Sequence, residues 1–329
     1  MHLLGCTLLL LLGAVAIAQP SYSLDCNFSG TTFFDNFNFW TAGDPTYGFV
    51  HYVDQATAEA YGMINVAEHP AEWRADATQV LDPDSALGRL SIRLTSIQSW
   101  THGLFILDLV HMPPNQCGVW PAFWTLGSGT WPYNGEIDII EYVGVESDNV
   151  MTLHTLGGPA CTVAGSGQSG ILGPSNNCSV SIHGAGGGYT GCSVTATLPD
   201  TVGSGFDETG GVYAMQWTSE GIQIWYFPRP QIPSSITLGQ PDPSTFGLPM
   251  ANFAGDCDFD AHFFNHSIIF DTTFCGTYAG PEWEPQGFVL IRMQSWTSCN
   301  DFVANNPEAF NDTYWQVNYL AVYTTPPAA

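Results

Sequence analysis

Three carboxylates stand within six positions of the run GEIDIIEYVG, residues 135–144: Glu136, Asp138 and Glu141. Acids set among Ile residues lose hydration, which costs free energy unless they are paired, hydrogen-bonded or protonated. Such a trio suits work on an acetal. One carboxyl protonates the leaving oxygen, a second attacks the sugar carbon, and mutual repulsion raises at least one pKa so that a proton is held ready. On this scheme one outer glutamate is the acid, the other is the ionised nucleophile, and Asp138 orients and tunes both. A solvated strand edge does not account for Ile137, Ile139 and Ile140, which must be buried somewhere. A hard-cation cage draws its oxygens from a loop with Asp, Asn and Gly at alternating positions. This segment reads as a strand, so neither a metal nor a cofactor is expected.

The spacing makes a demand on the backbone. Turn signals bracket the segment, Pro132-Tyr133-Asn134-Gly135 before it and Gly144 after it. On a plain strand Glu136 and Asp138 share a face, and Glu141 points the other way. One extra residue, a β-bulge around Ile139-Ile140, resets the alternation and returns Glu141 to the face of the other two acids. The sequence therefore predicts a bulge.

The rest of the chain must supply the sheet. Short runs rich in Val, Ile, Tyr, Phe and Trp recur between turn residues: LSIRLTSI at 90–97, GLFILDLVHM at 103–112, GVYAMQW at 211–217, IQIWYF at 222–227, FVLIRMQSW at 288–296 and YWQVNYLAVY at 314–323. Helical periodicity is scarce, with one short helix expected in DQATAEAYGMI, 54–64. The pattern predicts an all-β protein, a β-sandwich or jelly roll. Residues 156–192, rich in Gly and Ser and holding three cysteines, read as a surface insertion stapled by disulfides. With no internal repeat and no linker, residues 19–329 read as a single catalytic domain, its folded body running from about Asp25 to Tyr323.

Composition narrows the function. The net charge is -25, lysine is absent, and five arginines (Arg74, Arg89, Arg93, Arg229 and Arg292) are the only basic side chains besides histidine. Such a surface repels phosphate backbones and anionic headgroups, so neither nucleic acid nor membrane is an expected partner. A neutral, ring-shaped ligand is indifferent to that field, and eleven Trp could serve it, although most aromatics must fill the core. A monomer is expected. The opening run LLGCTLLLLLGAVAIA, ending in Ala16-Ile17-Ala18, predicts a secretory signal over residues 1–18 and an extracellular protein. Eight cysteines remain after its removal, allowing up to four disulfides. Four sequons, at Asn27, Asn177, Asn265 and Asn311, are candidate glycosylation sites.

VWPAFWTLGSGTWPYNGEIDIIEYVG, residues 119–144, closely resembles the active-site strand of glycoside hydrolase family 16, in the E-x-D-x-x-E form of its laminarinases. Supporting likeness to the secreted fungal branch runs through residues 37–66, VMTLHT at 150–155, CDFDAHFFNHSIIFDTTFCGTYAG at 257–280 and the strand-like runs above. The resemblance implies a jelly-roll sandwich with a concave cleft and retaining endo-cleavage of β-1,3- or mixed β-1,3/1,4-glucan. It also implies Glu136 as nucleophile, Glu141 as acid/base and Asp138 as auxiliary acid. Some relatives transfer sugar chains instead. A recognition module typically lacks one outer glutamate, and both are present here. Trp120, Trp124 and Trp131 are the expected sugar platforms, since an aromatic face suits the C–H face of a glucose ring. His154 matches a family histidine beside the cleft, and Tyr142 is a further candidate for its border.

Overall fold

The computed structural model describes residues 22–65, 70–180, 191–283 and 296–325. Two eight-stranded antiparallel sheets stack as the jelly-roll sandwich expected from the strand pattern. In the sheet that bears the acids, neighbours run Ile171–Leu172, Cys192–Thr195, Val150–His154, Glu136–Glu141, Val119–Gly127, His266–Phe274, Arg93–Trp100 and Phe37–Phe39. The second sheet runs Ala251–Phe253, Gly221–Pro228, Gly211–Thr218, Gly103–His111, Tyr314–Thr324, Ala71–Arg74 and Ile64–Asn65, with Ser23–Ser29 also paired to Tyr314–Thr324.

Alternation along these strands sends one set of side chains between the sheets. Ile137, Phe123, Leu153 and Phe270 from the acid-bearing sheet meet Phe105, Leu107, Met215 and Trp217 from the other. Trp73, Trp217 and Trp315 are at most 1% exposed, so they belong to the core and not to a ligand. The helix expected in 54–64 forms over Gln55–Ala60, where the Asp54 carboxylate caps the Thr57 N–H at 2.8 Å. Of FVLIRMQSW, residues 288–295 lie outside the described residues, as do Arg292 and the signal segment.

Three disulfides form, Cys161–Cys257, Cys178–Cys192 and Cys275–Cys299, which leaves Cys26 and Cys117 as thiols. Two of them tie down the 156–192 insertion as its composition predicted, while residues 181–190 lie outside the described residues. The insertion is more than loop: Ile171–Leu172 pairs with Cys192–Thr195 and so extends the acid-bearing sheet, and Thr162–Val163 pairs with Gly255–Asp256.

The turn before the acids is rigidly placed. Gly135 has φ +84°, and a Cβ there would lie 2.3 Å from the Phe263 ring and 2.7 Å from the His262 carbonyl, so only glycine fits. The Asn134 carbonyl accepts from His266 Nε2 at 2.7 Å. A carbonyl can only accept, so the ring proton sits on Nε2, and Nδ1 accepts from the Thr125 hydroxyl at 2.8 Å. Burial pushes the His266 pKa down to about 4, which keeps the ring neutral in both bonds.

Candidate active site

The predicted bulge is present. Against Val119–Gly127, Glu136 faces Leu126, Asp138 faces Trp124 and Glu141 faces Ala122, with the register shifting between Asp138 and Ile140. Three steps along the acid strand, from Asp138 to Glu141, thus match two on its neighbour. Ile137, Ile139 and Ile140 all enter the core, and the three acids share the opposite face. Tyr142, expected at the cleft border, is instead fully buried and donates to the Pro113 carbonyl, because alternation resumes after Glu141 and turns it inward.

Each outer glutamate is held by an indole. Trp131 Nε1 donates to Glu136 Oε2 at 2.6 Å, and Trp120 Nε1 donates to Glu141 Oε1 at 2.9 Å. His154, opposite Glu136 in the next strand, places Nε2 3.4 Å from Asp138 Oδ2 and 3.9 Å from Glu136 Oε1. Trp120, Trp124 and Trp131 are half-buried beside the acids. Trp124 donates from its Nε1 to Asp271 Oδ1 at 3.1 Å.

The carboxyls sit in a strongly desolvated row. Burial, more than repulsion, pushes Glu136 up to about 8; the charge of Asp138 adds to this, while His154 and the Trp131 N–H oppose it. Glu141 also reaches about 8, through burial and then Asp138, against the Trp120 N–H. Asp138, 3% exposed, is raised well above the carboxylate range by burial and then by Asp271. Repulsion among the three, the cause expected from their spacing, is real but secondary to burial. Glu136, Asp138 and His154 also bring ligand atoms within 4.8 Å of one another, close enough for one divalent ion to bridge. Protons held on the carboxyls compete with such an ion.

Other groups at the site come from segments remote in sequence. Asp271, on His266–Phe274, pairs with Ala122 on one side and Arg93 on the other. Its Oδ2 accepts from the Tyr52 hydroxyl at 3.1 Å and lies 3.9 Å from Arg93 Nη1. The Arg93 guanidinium carbon lies 5.0 Å from the ring centres of both Trp40 and Trp124, in two cation–π contacts. Tyr278 meets Trp120 edge-on at 5.5 Å. Sequence reasoning missed Asp271, Arg93, Trp40, Tyr52 and Tyr278. One signal was available: Arg93 is a lone charge inside the apolar strand run LSIRLTSI. The sequon asparagines Asn27, Asn177, Asn265 and Asn311 are all exposed.

A family profile described as "XgeA-like, catalytic GH16 domain" matches residues 37–323. A probable endo-1,3(4)-beta-glucanase of Aspergillus niger is 43% identical across 98% of this chain and 44% of its own length. The endo-1,3(4)-beta-glucanase of Arthroderma benhamiae is 39% identical across 96% of this chain and 68% of its own. The chain spans about half the length of several curated relatives it matches, 44% to 47% in the Aspergillus proteins. Among solved structures, an elongating GH family 16 beta-1,3-glucosyltransferase is 46% identical with a TM-score of 0.84, matching 92% of this chain and all of its own. Laminarinase 16A of Phanerochaete chrysosporium, with β-glucans in donor and acceptor sites, is 38% identical with a TM-score of 0.83, again over 92% of this chain and all of its own.

Proposed function

The chain belongs to glycoside hydrolase family 16, and from that premise we propose that it is a secreted, retaining endo-β-1,3(4)-glucanase acting on laminarin-type and mixed-linkage glucans. The observation that carries the reading is the bulge, which sets Glu136 and Glu141 on one face with a separate indole donor on each. Residues 19–329 form one catalytic domain on this reading, and the protein works as an extracellular monomer. Three disulfides and four exposed sequons support the extracellular assignment. Among the described residues no helix is long and apolar enough to cross a membrane.

The indole contacts support an assignment of the oxygens. An indole N–H only donates, so the oxygen it meets presents a lone pair. On Glu141 that oxygen is Oε1, and Oε2 carries the acid proton towards the glycosidic oxygen. On Glu136 the bound oxygen is Oε2, and Oε1 is the attacking atom. Glu136 attacks the anomeric carbon as Glu141 protonates the departing sugar, giving a glycosyl ester. Glu141, now ionised, takes a proton from water, which attacks the same carbon, displaces the Glu136 carboxylate and restores the β configuration. His154 favours the ionised form of Glu136, while the charge of Asp138 opposes it, and the two together tune the nucleophile. Trp120, Trp124 and Trp131 stack against the sugar rings, and Arg93 backs Trp124.

The experiment is digestion of laminarin, lichenan, cellulose and xyloglucan, with products sized over time and new anomers followed by proton NMR. Shortening of laminarin or lichenan with β-anomers first is expected; Glu136→Gln should lower turnover by at least about 10³-fold with the fold intact. Binding without new reducing ends would overturn the hydrolase reading. A second reading, chain transfer, is favoured by the 46% identity to the elongating glucosyltransferase. Products longer than the substrate when an acceptor oligosaccharide is added would select it.

A further inference from the structure

We propose that Asn149 is a positioning residue for Glu141: its carboxamide clamps the bulge in the one arrangement that returns this acid to the cleft. The proposal rests on the reading of Glu141 as acid/base. Past Asp138 the acid strand loses its partner on the Val150–His154 side, where pairing covers only Glu136, Ile137 and Asp138. On the other side the register shifts at the same place. A buried stretch of backbone is therefore left without a complete ladder, although buried N–H and C=O groups must be paired.

Asn149 supplies what is missing. Fully buried at 0% exposure, it donates from Nδ2 to the Ile139 carbonyl at 2.8 Å and accepts at Oδ1 from the Glu141 N–H at 2.9 Å. Its own carbonyl accepts from the Ala196 N–H at 2.9 Å, which anchors it to the residue just past the strand Cys192–Thr195. A carboxamide presents one donor end and one acceptor end, as a peptide group does. Here it takes the place of a strand partner on both sides of Ile140. Glu141 is then fixed at two points, its N–H by Asn149 and its carboxyl by Trp120. Asp at this position would keep the acceptor and lose the donor, Ala would lose both, and Gln would displace both by a methylene.

A role confined to folding would lower all activities together, whereas a role through Glu141 separates them by leaving group. Turnover of laminarin by Asn149→Ala should fall about 10²-fold, the cost of misplacing an acid by about 1 Å, with KM within about twofold. Glycosylation by 2,4-dinitrophenyl β-laminaribioside, whose phenolate departs unprotonated, should fall less than about threefold. In a Glu141→Gln background, Asn149→Ala should cost less than about twofold more on laminarin, because the two act as one unit. Thermal midpoints establish that each variant is folded, and Asn149→Asp carries the same comparison if Asn149→Ala does not accumulate. Equal losses on both substrates, no loss on laminarin, or additive losses in the double variant would overturn the clamp. Normal laminarin turnover by Glu141→Gln alone would instead remove the acid/base reading and the clamp with it.

Discussion

The side chains at the site are held where water and charge would not by themselves leave them. Glu141 keeps its proton up to about 8 because burial disfavours the anion. Glu136 is pushed to the same value, so turnover of laminarin, which needs one proton between the two glutamates, should peak near pH 8 and fall on either side; an alkaline limb centred below pH 7 in a kcat/KM profile would contradict this. Stability carries the opposite face of the same shift. A carboxyl raised from 4.5 to about 8 binds more protons folded than unfolded. Its contribution is whole below pH 4.5 and is lost as pH climbs towards 8. Glu136→Gln, which removes the titration, should raise Tm by a few degrees at pH 8 and hardly change it at pH 4, a contrast that calorimetry at the two pH values would read. Of the residues named from sequence, Glu136, Asp138, Glu141, Trp120, Trp124, Trp131 and His154 all come together around the acid strand. Tyr142 does not, since the period after the bulge turns it inward.

The bulge is where element and chemistry meet. Without it the strand would have to bury a carboxylate uncompensated or bring an Ile to the surface, and both cost free energy. Deletion of Ile139 should restore plain alternation, E-I-D-I-E, with all three acids still on one face but without the bulged backbone that Asn149 holds; laminarin turnover and Tm should both fall, which a laminarin assay and circular dichroism melts would check together. An Ile139 deletion that stayed active would show that the extra residue is dispensable. The need for a bulge was legible because it follows from spacing and period alone. Its clamp was not, since nothing in Asn149's neighbourhood, ESDNVMT, announces that a side-chain amide will stand in for a strand.

Across the whole molecule the net charge is -25, and on the proposed reading the substrate is a neutral polymer. KM for laminarin should then vary little with salt, while a carboxymethylated glucan should bind poorly at low ionic strength and better as salt screens the field. Parallel KM measurements at about 10 mM and about 150 mM salt, where the Debye length falls from about 30 to about 8 Å, decide it. If laminarin responded as the charged polymer does, the substrate would not be sensing the field of this surface. By itself the sequence determined the sandwich, the acid strand and its bulge, the indole-rich approach to it and the stapled insertion, because each depends on local period, turn chemistry or composition. Only the tertiary structure decided that Asp271 lies one Ala away from Glu141, that Arg93 sits between Trp40 and Trp124, and which cysteines pair. The reason is physical: those contacts join separate segments of the chain, and which segments become neighbours is chosen by packing the whole core, a choice no local pattern records.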